Sequence, residues 1–203
     1  GGPFYANVDR FEIEVYGKGA HAARPQEGVD AIVTASQIVT ALQTLVSRSY
    51  SPLETVVVSV TRIEGGNTWN VLPQKVVLEG TVRTYSDAIR RDVPVRLAKL
   101  IEGVAAGFGA RSELNWHPGP PAVVNTERWA EFSKRVAARA GYEVQHAELQ
   151  MGGEDFAFYL HDTPGTFVSI GSASEFGLHH PAFNPDEALS LIHISEPTRQ
   201  EAI

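Results

Sequence analysis

The stretch FEIEVYGKGAHAARP, residues 11–25, decides the fold of this chain. Its first six residues alternate between apolar and polar side chains, which is typical of a β-strand that is buried on one face. The glycines that follow allow the backbone to turn sharply and leave His21 exposed. An imidazole in that position can donate a hydrogen bond to a carbonyl oxygen or a carboxylate. The alternative interpretation is an ordinary surface histidine.

The residues after this turn continue in a regular order of helices and strands. Apolar periodicity and β-branched composition predict helices over 29–46 and 89–104, and strands over 55–61, 76–82 and 110–116. The order strand, helix, strand, strand, helix, strand predicts an α/β fold of the ferredoxin-like type, with a four-stranded sheet and two helices on one face. Pro94 lies inside the second apolar stripe, so that helix should either begin near Asp92 or be kinked.

A segment rich in proline and glycine, HPGPP at 117–121, indicates a domain boundary. We therefore expect a first domain over 8–117, a second over 118–189, and a disordered or non-native tail over 190–203.

The second domain should contain one helix and one apolar strand. The helix over 127–140 is expected to point Trp129, Phe132 and Val136 inward, and the run 165–170 is expected to form the strand.

Composition excludes several classes of function. The 203 residues include 17 Lys and Arg against 24 Asp and Glu, and the net charge of −7 argues against nucleic-acid binding. No run reaches the roughly 20 apolar residues of a membrane span. The absence of cysteine excludes disulfides and thiol catalysis, and it fits a reducing compartment such as the cytoplasm.

Two segments in the first half carry polar groups suited to binding a ligand. GGNTWNVLP at 65–73 offers the amide of Asn70, and EGTVRT at 79–84 offers the guanidinium of Arg83. Together they suit a substrate that bears a carboxylate. The alternative is a loop that enters a strand whose polar face is solvated.

Two segments in the second half carry acids and histidines. The acids of MGGEDFA, 151–157, suit acid–base chemistry or the support of a ligand histidine, and alternatively they open a short helix. LHHPAF, 178–183, can provide one metal ligand, because adjacent side chains point in different directions. The alternative is a surface or capping pair.

Taken in this order, these segments resemble the M20 metallopeptidase and amidohydrolase family, and most closely its hippurate hydrolase and N-acyl-amino-acid amidohydrolase branch. The resemblance runs from about Ala6 to Leu189. It implies a zinc-peptidase-like α/β catalytic domain that is interrupted by a ferredoxin-like lid, or dimerisation, domain. Residues 8–117 would be this lid, and 118–189 would be the C-terminal part of the catalytic domain.

The resemblance also implies roles for single residues. His179 looks like a metal ligand, because it takes the first position of the family's His-x-Pro pattern. His21 resembles the lid histidine that reaches into the neighbouring subunit's site and polarises the scissile carbonyl. Asn70, Arg83 and Gly153 would bind substrate.

The cofactors and partners implied by the resemblance are those of a dimeric hydrolase. They are two divalent metal ions (zinc, manganese or cobalt) in the full-length enzyme, a small N-acyl amino acid such as hippurate, and a second copy bound through the lid.

The family's remaining metal ligands and its general-base glutamate have no counterpart in this sequence. We therefore expect a fragment that binds no metal tightly and hydrolyses nothing alone, because a catalytic zinc takes about three protein ligands. Two alternatives stay open. One is a stand-alone ferredoxin-like dimerisation or binding module, and the other is a dipeptidase or aminoacylase of the same family.

Overall fold

The computed structural model describes residues 1–171 and 174–186. These residues form the following strands: β1 (Gly2–Tyr5), β2 (Asn7–Tyr16), β3 (Ala20–His21), β4 (Val56–Gly65), β5 (Val71–Leu72), β6 (Lys75–Thr84), β7 (Arg111–Pro118) and β8 (Val123–Asn125). They also form these α-helices: α1 (Ala31–Ser49), α2 (Asp87–Gly107), α3 (Glu127–Arg139) and α4 (Ala157–Asp162). No helix of the described residues combines the length and apolar character required to cross a bilayer.

Four antiparallel strands form the main sheet, in the order β4–β6–β2–β7. The helices α1 and α2 pack against each other and supply the residues that cover the sheet's apolar face. The predicted ferredoxin-like layer is therefore confirmed. Its first and last strands are neighbours, and Asp9 lies opposite Pro118.

The alternation in β2 determines which face of the sheet is buried. Phe11, Ile13 and Val15 are fully buried, whereas the residues between them lie on the opposite, polar face. Burial of each large apolar side chain contributes about 1.5–3 kcal/mol to folding. On the helical side, Ile38 and Leu42 complete this core.

The helix α2 runs through Pro94 without interruption in its assignment. It begins at Asp87, where the Ser86 hydroxyl oxygen accepts a hydrogen bond from the Ile89 amide (3.4 Å). The expectation of a start near Asp92 was therefore wrong. The physical reason is that a contact with another element stabilises the first turn of α2, because Arg90 forms an ion pair with the buried carboxylate of Asp9 in β2.

That ion pair belongs to a buried polar cluster that joins the sheet to the segment after β7. Arg90 Nη2 lies 2.7 Å from Asp9 Oδ1 and 2.7 Å from the Gly119 carbonyl oxygen, and Asp9 is 1% exposed. The Gly119 amide donates to Asp9 Oδ1 (3.1 Å), and the Ala122 amide donates to Asn7 Oδ1 (2.8 Å). These hydrogen bonds join the segment at residue 7 to the segment at residue 119.

Two small antiparallel sheets were not expected from the sequence. In one, β1 pairs with β8, and the rings and side chains around Phe4, Val123 and Ala157 form a second small core. In the other, β3 pairs with β5 and places His21 opposite Val71.

Two expectations for the second half of the chain were wrong. In α3, Trp129, Phe132 and Val136 are 37%, 48% and 48% exposed, because within the described residues nothing covers that face; Ala130 is the buried residue of the helix. The run 165–170 is not a strand. Among the described residues no strand pairs with it, although the Thr126 amide donates to the Gly165 carbonyl oxygen (2.9 Å) and the Asn125 side chain of β8 bonds to the backbone of Phe167.

The chain divides into two compact units, Gly1–Phe167 and a second unit that begins at Val168. The domain limits 8–117 and 118–189 stay predictions. The expected tail, 190–203, lies outside the described residues.

Candidate active site

His21 and Asn70 lie together at one end of the main sheet. The Ala22 amide donates to the Asn70 carbonyl oxygen (2.9 Å), which extends the β3–β5 pair by one hydrogen bond. This pair lies beyond the end of the sheet where Tyr16 and Lys75 are opposite each other. The structure therefore brings two of the predicted site residues to one corner.

The imidazole of His21 is exposed, and a local hydrogen bond orients it. Its Nδ1 accepts from the Ala23 amide at 3.1 Å. In a neutral imidazole one nitrogen accepts and the other donates, so the proton is carried by Nε2. The ring therefore presents an Nε2–H donor away from its own backbone, as required for a donor to a carbonyl oxygen.

The side chain of Asn70 is also oriented by a neighbour. The Thr68 hydroxyl donates to Asn70 Oδ1 (3.1 Å), which leaves the Nδ2 group of Asn70 as its hydrogen-bond donor. The residue between them, Trp69, is 92% exposed.

Arg83 and Gly153 lie together at the opposite end of the sheet. Arg83 is opposite Val8 on β2, and Gly153 packs so tightly on Val8 that an added Cβ would overlap the valine side chain. A strand rises about 3.3 Å per residue, so the eight residue steps from Lys75 to Arg83 span about 25 Å. Within one chain, Arg83 is therefore remote from His21.

His179 lies in the second unit and has an unusual backbone conformation. Its φ of 66° is the one positive value at a non-glycine residue of the described part. Such conformations cost free energy and cluster at functional sites. The neighbouring His180 is held by its own contacts: its ring stacks on Phe176 with centroids 4.4 Å apart, and its Nδ1 accepts from the Ala182 amide (3.1 Å).

Among the described residues, no three side chains of His, Asp or Glu come together in a way that could hold a metal ion. These residues alone do not fit a catalytic metal, which needs about three protein ligands. Glu154 instead takes part in the turn that precedes α4, where its Oε1 accepts from the Phe156 amide at 3.4 Å.

The M20 peptidase dimerisation-domain model matches residues 6–107, half of the chain. The chain belongs to the M20 peptidase family. The matched residues contain the whole helical layer and three of the four main strands of this M20 domain.

Relatives of this M20 chain include deacetylases of N-acetylated amino acids. N-acetylcysteine deacetylase of Bacillus subtilis (strain 168) is 46% identical over 186 residues, which are 92% of this chain and 49% of the relative. N-acetyldiaminopimelate deacetylase of Bacillus velezensis is 37% identical, over 92% of this chain and 50% of the relative. The chain thus spans about half the length of the curated relatives it matches.

A solved M20 structure has the same fold over most of this chain. It is a dinuclear metal-binding peptidase from Bacillus subtilis, with a TM-score of 0.76 and 41% sequence identity, and the match covers 92% of this chain and 47% of the other. The predicted membership of the M20 family is confirmed by these comparisons.

Sequence reasoning missed Tyr85 in this M20 chain. Its hydroxyl donates to the Gln150 carbonyl oxygen at 2.8 Å, directly beside the loop that contains Gly153. The available signal was position, because Tyr85 follows Arg83 by two residues and extended chains place such residues on one face.

Proposed function

We propose that this chain is the dimerisation domain, with an adjoining part of the catalytic domain, of a cytoplasmic metal-dependent amidohydrolase. The reaction is hydrolysis of the amide bond of small N-acyl amino acids, including hippurate-like ones. The observation that supports this most is the exposed His21 ring, which a hydrogen bond from the Ala23 amide to Nδ1 orients at the corner where β3 pairs with β5. The named activities of the deacetylase relatives point to the same bond.

In this reaction His21 donates a hydrogen bond to the carbonyl oxygen of the substrate. Negative charge grows on that oxygen as the amide is attacked, so a fixed donor stabilises the transition state more than the ground state. Removal of one such donor lowers kcat by about 10²–10³. Asn70 Nδ2 orients the substrate carboxylate.

The metal pair is proposed from the family and not from a cluster among the residues that the structure describes. His179 would be one of the residues that hold two divalent ions (zinc, manganese or cobalt) in the full-length enzyme, and those ions would supply the attacking water. Its left-handed backbone supports a functional role. The described residues hold no group of three His, Asp or Glu side chains placed to bind a metal ion.

The homodimer is proposed because the candidate site residues are divided between two ends of the sheet. A small N-acyl amino acid cannot contact groups that are about 25 Å apart in one chain. His21 and Asn70 therefore serve the site of a second copy bound through this domain. An Arg83 that contacted substrate would do so in its own subunit.

A hybrid enzyme tests the proposal. The matching half of Bacillus subtilis N-acetylcysteine deacetylase is replaced by residues 6–186 of this chain, and hydrolysis of N-acetyl and N-benzoyl amino acids is measured with added zinc, manganese or cobalt. We expect metal-dependent turnover that falls about 10²–10³-fold in His21→Ala. Asn115→Ala, on the polar face of β7, is the control and should keep full activity.

A hybrid that is folded and dimeric by circular dichroism and sedimentation, but inactive, would contradict the hydrolase proposal. That result would favour the stand-alone binding module. Full activity in His21→Ala would contradict the role of this histidine.

A further inference from the structure

We propose that Trp69 is a specificity-determining residue that packs on the side chain of the amino acid in the substrate. The preferred substrates are therefore N-acyl amino acids with a large apolar or aromatic side chain. The indole acts in the same site of a second copy as His21 and Asn70. This inference rests on the proposed function and adds a contact and a preference to it.

Trp69 has the largest side chain of the loop 66–70, which joins β4 to β5, and it is 92% exposed. The two other tryptophans, Trp116 and Trp129, are both less exposed. Tryptophan buries a large apolar area when another group covers it, and it is enriched among the residues that contribute most to binding. The position of Trp69 in the fold, and not its exposure alone, indicates what covers it.

Hydrogen bonds define the end of the loop on which Trp69 lies. The Ala22 amide donates to the Asn70 carbonyl oxygen (2.9 Å), and β3 pairs with β5 at His21. Within the loop, the Thr68 hydroxyl donates to Asn70 Oδ1 (3.1 Å). Trp69 is therefore placed directly beside the corner that contains the two candidate site residues.

Two glycines define the beginning of the loop. Gly66 has a φ of +82°, a backbone conformation that other residues rarely adopt. Gly65 lies so close to β6 that an added Cβ would be 2.6 Å from Val76 Cγ2. The chain therefore turns directly at the end of β4, and both ends of the loop that carries Trp69 are fixed.

The neighbours of Trp69 identify the part of the substrate that the indole contacts. In the proposed function, Asn70 orients the substrate carboxylate and His21 donates to the carbonyl oxygen of the scissile amide. Adjacent Cα atoms are about 3.8 Å apart, so the indole begins next to the residue that binds the carboxylate. An amino acid carries its carboxylate and its side chain on the same carbon atom. The side chain is therefore within reach of Trp69, whereas the acyl group extends from the other side of the amide bond.

The chemistry of an indole determines the preference. Its contact with an apolar side chain removes hydrophobic surface from water, and its contact with an aromatic ring adds a stacking or edge-to-face interaction. In hydrophobic pockets, one methylene changes specificity about 10–200-fold. The loop is open to solvent, so we expect a preference near the lower end of this range.

The hybrid enzyme described above tests this preference. In Trp69→Ala, kcat/KM for N-acetylphenylalanine should fall about tenfold, mainly through KM, whereas kcat/KM for N-acetylalanine should change little. Trp69→Phe should keep most of the preference, because it retains an aromatic ring. Leu53→Ala is the matched control and should affect neither substrate, since Leu53 is 95% exposed in the turn between α1 and β4.

Three results would overturn the proposal. Equal losses for both N-acetyl substrates in Trp69→Ala would indicate a structural role. A loss that affects N-benzoylglycine but not N-acetylphenylalanine would place the indole on the acyl group. A Trp69→Ala variant that sedimentation shows to be monomeric would assign the ring to contacts between the two copies.

Fluorescence separates the failure of this inference from the failure of the proposed function. The difference in emission between the hybrid and its Trp69→Phe variant isolates the signal of Trp69. Rapid mixing with N-acetylphenylalanine should change this signal before turnover, and mixing with N-acetylalanine should not. An inactive hybrid that shows the change would contradict the proposed hydrolysis and support the contact. An active hybrid without the change would contradict the contact alone, and an inactive hybrid without it would contradict both.

Discussion

Replacement of Arg90 by methionine should destabilise this chain far more than the loss of an ordinary surface arginine. The guanidinium donates to Asp9 Oδ1 (2.7 Å), to Asp9 Oδ2 (3.0 Å), to the Gly119 carbonyl oxygen (2.7 Å) and to Asn7 Oδ1 (3.3 Å). The side chain of Asp9 is 1% exposed, so methionine would leave a carboxylate buried without a counter-charge.

The magnitude follows from that geometry. Removing one partner of a buried ion pair costs about 3–5 kcal/mol, because the remaining charge stays desolvated. Asp9 keeps the hydrogen bond from the Gly119 amide (3.1 Å), so we expect the lower end of this range. A loss of about 3 kcal/mol shifts the unfolding equilibrium more than a hundredfold, and it is a large part of the stability of an ordinary domain.

Urea unfolding followed by circular dichroism provides the assay. The midpoint for Arg90→Met should fall with an unchanged slope, whereas Arg96→Met, on the same helix, should leave it nearly unchanged. Arg96 pairs with Asp92 at the surface and is 49% exposed. The double variant Asp9→Asn, Arg90→Met should recover part of the loss, because no buried charge remains. Equal midpoints for Arg90→Met and Arg96→Met would refute the reasoning.

Three further outcomes can be measured. Burial, and then the charge of Asp92, raise the pKa of Tyr50 to about 12. Folding therefore favours the protonated phenol. Its contribution to the stability of the folded chain is complete below pH 10 and is lost as the pH rises through about 12. Ultraviolet titration should show this late phenol, and Tyr50→Phe should remove it. Gly80→Ala should lower the melting temperature, because a Cβ there would overlap the Phe11 ring and the Ser59 carbonyl oxygen, at a cost of about 1–3 kcal/mol. Gly103→Ala, in α2, is the control. A Cβ added there meets no atom within 4 Å, so this substitution should stabilise the folded chain by up to about 1 kcal/mol. Calorimetric titration of the chain with zinc should find no tight site, and a tight site that disappears in His179→Ala would contradict this.

The sequence was sufficient for the four-stranded layer because each of its elements has a clear period. Phe11, Ile13 and Val15 alternate, and the α1 stripe begins directly after Asp30, whose Oδ1 accepts from the Ile32 and Val33 amides (2.9 and 3.0 Å). Local patterns of this kind identify elements without knowledge of their partners.

Features that depend on distant partners were not predictable. The β1–β8 pair joins residues more than a hundred positions apart. Each of these strands has only three or four residues, which show too little periodicity to predict a strand. The apolar stripe of α3 was recognised, but a stripe does not reveal whether a partner covers it. The apolar run at 165–170 likewise does not specify whether a neighbouring strand is present.

The candidate site was predicted in parts and not as an arrangement. The motifs identified His21, Asn70 and Arg83, yet the order of residues along the chain contains no distance through space. The direction of β6, which carries Arg83 away from His21, follows from strand pairing and not from spacing. The donor to Nδ1 of His21 is a backbone amide, so no side-chain pattern could have indicated it.

The pairing of Asp9 with Pro118 has an evolutionary consequence. Facing residues of antiparallel strands have Cα atoms about 4.5–5.5 Å apart, so the entry and exit of this layer are almost coincident. A host protein could accept such a cassette within one surface turn without rebuilding its own scaffold. Gene fusion could therefore transfer the layer between unrelated host proteins, provided that Arg90 and Asp9 are both retained.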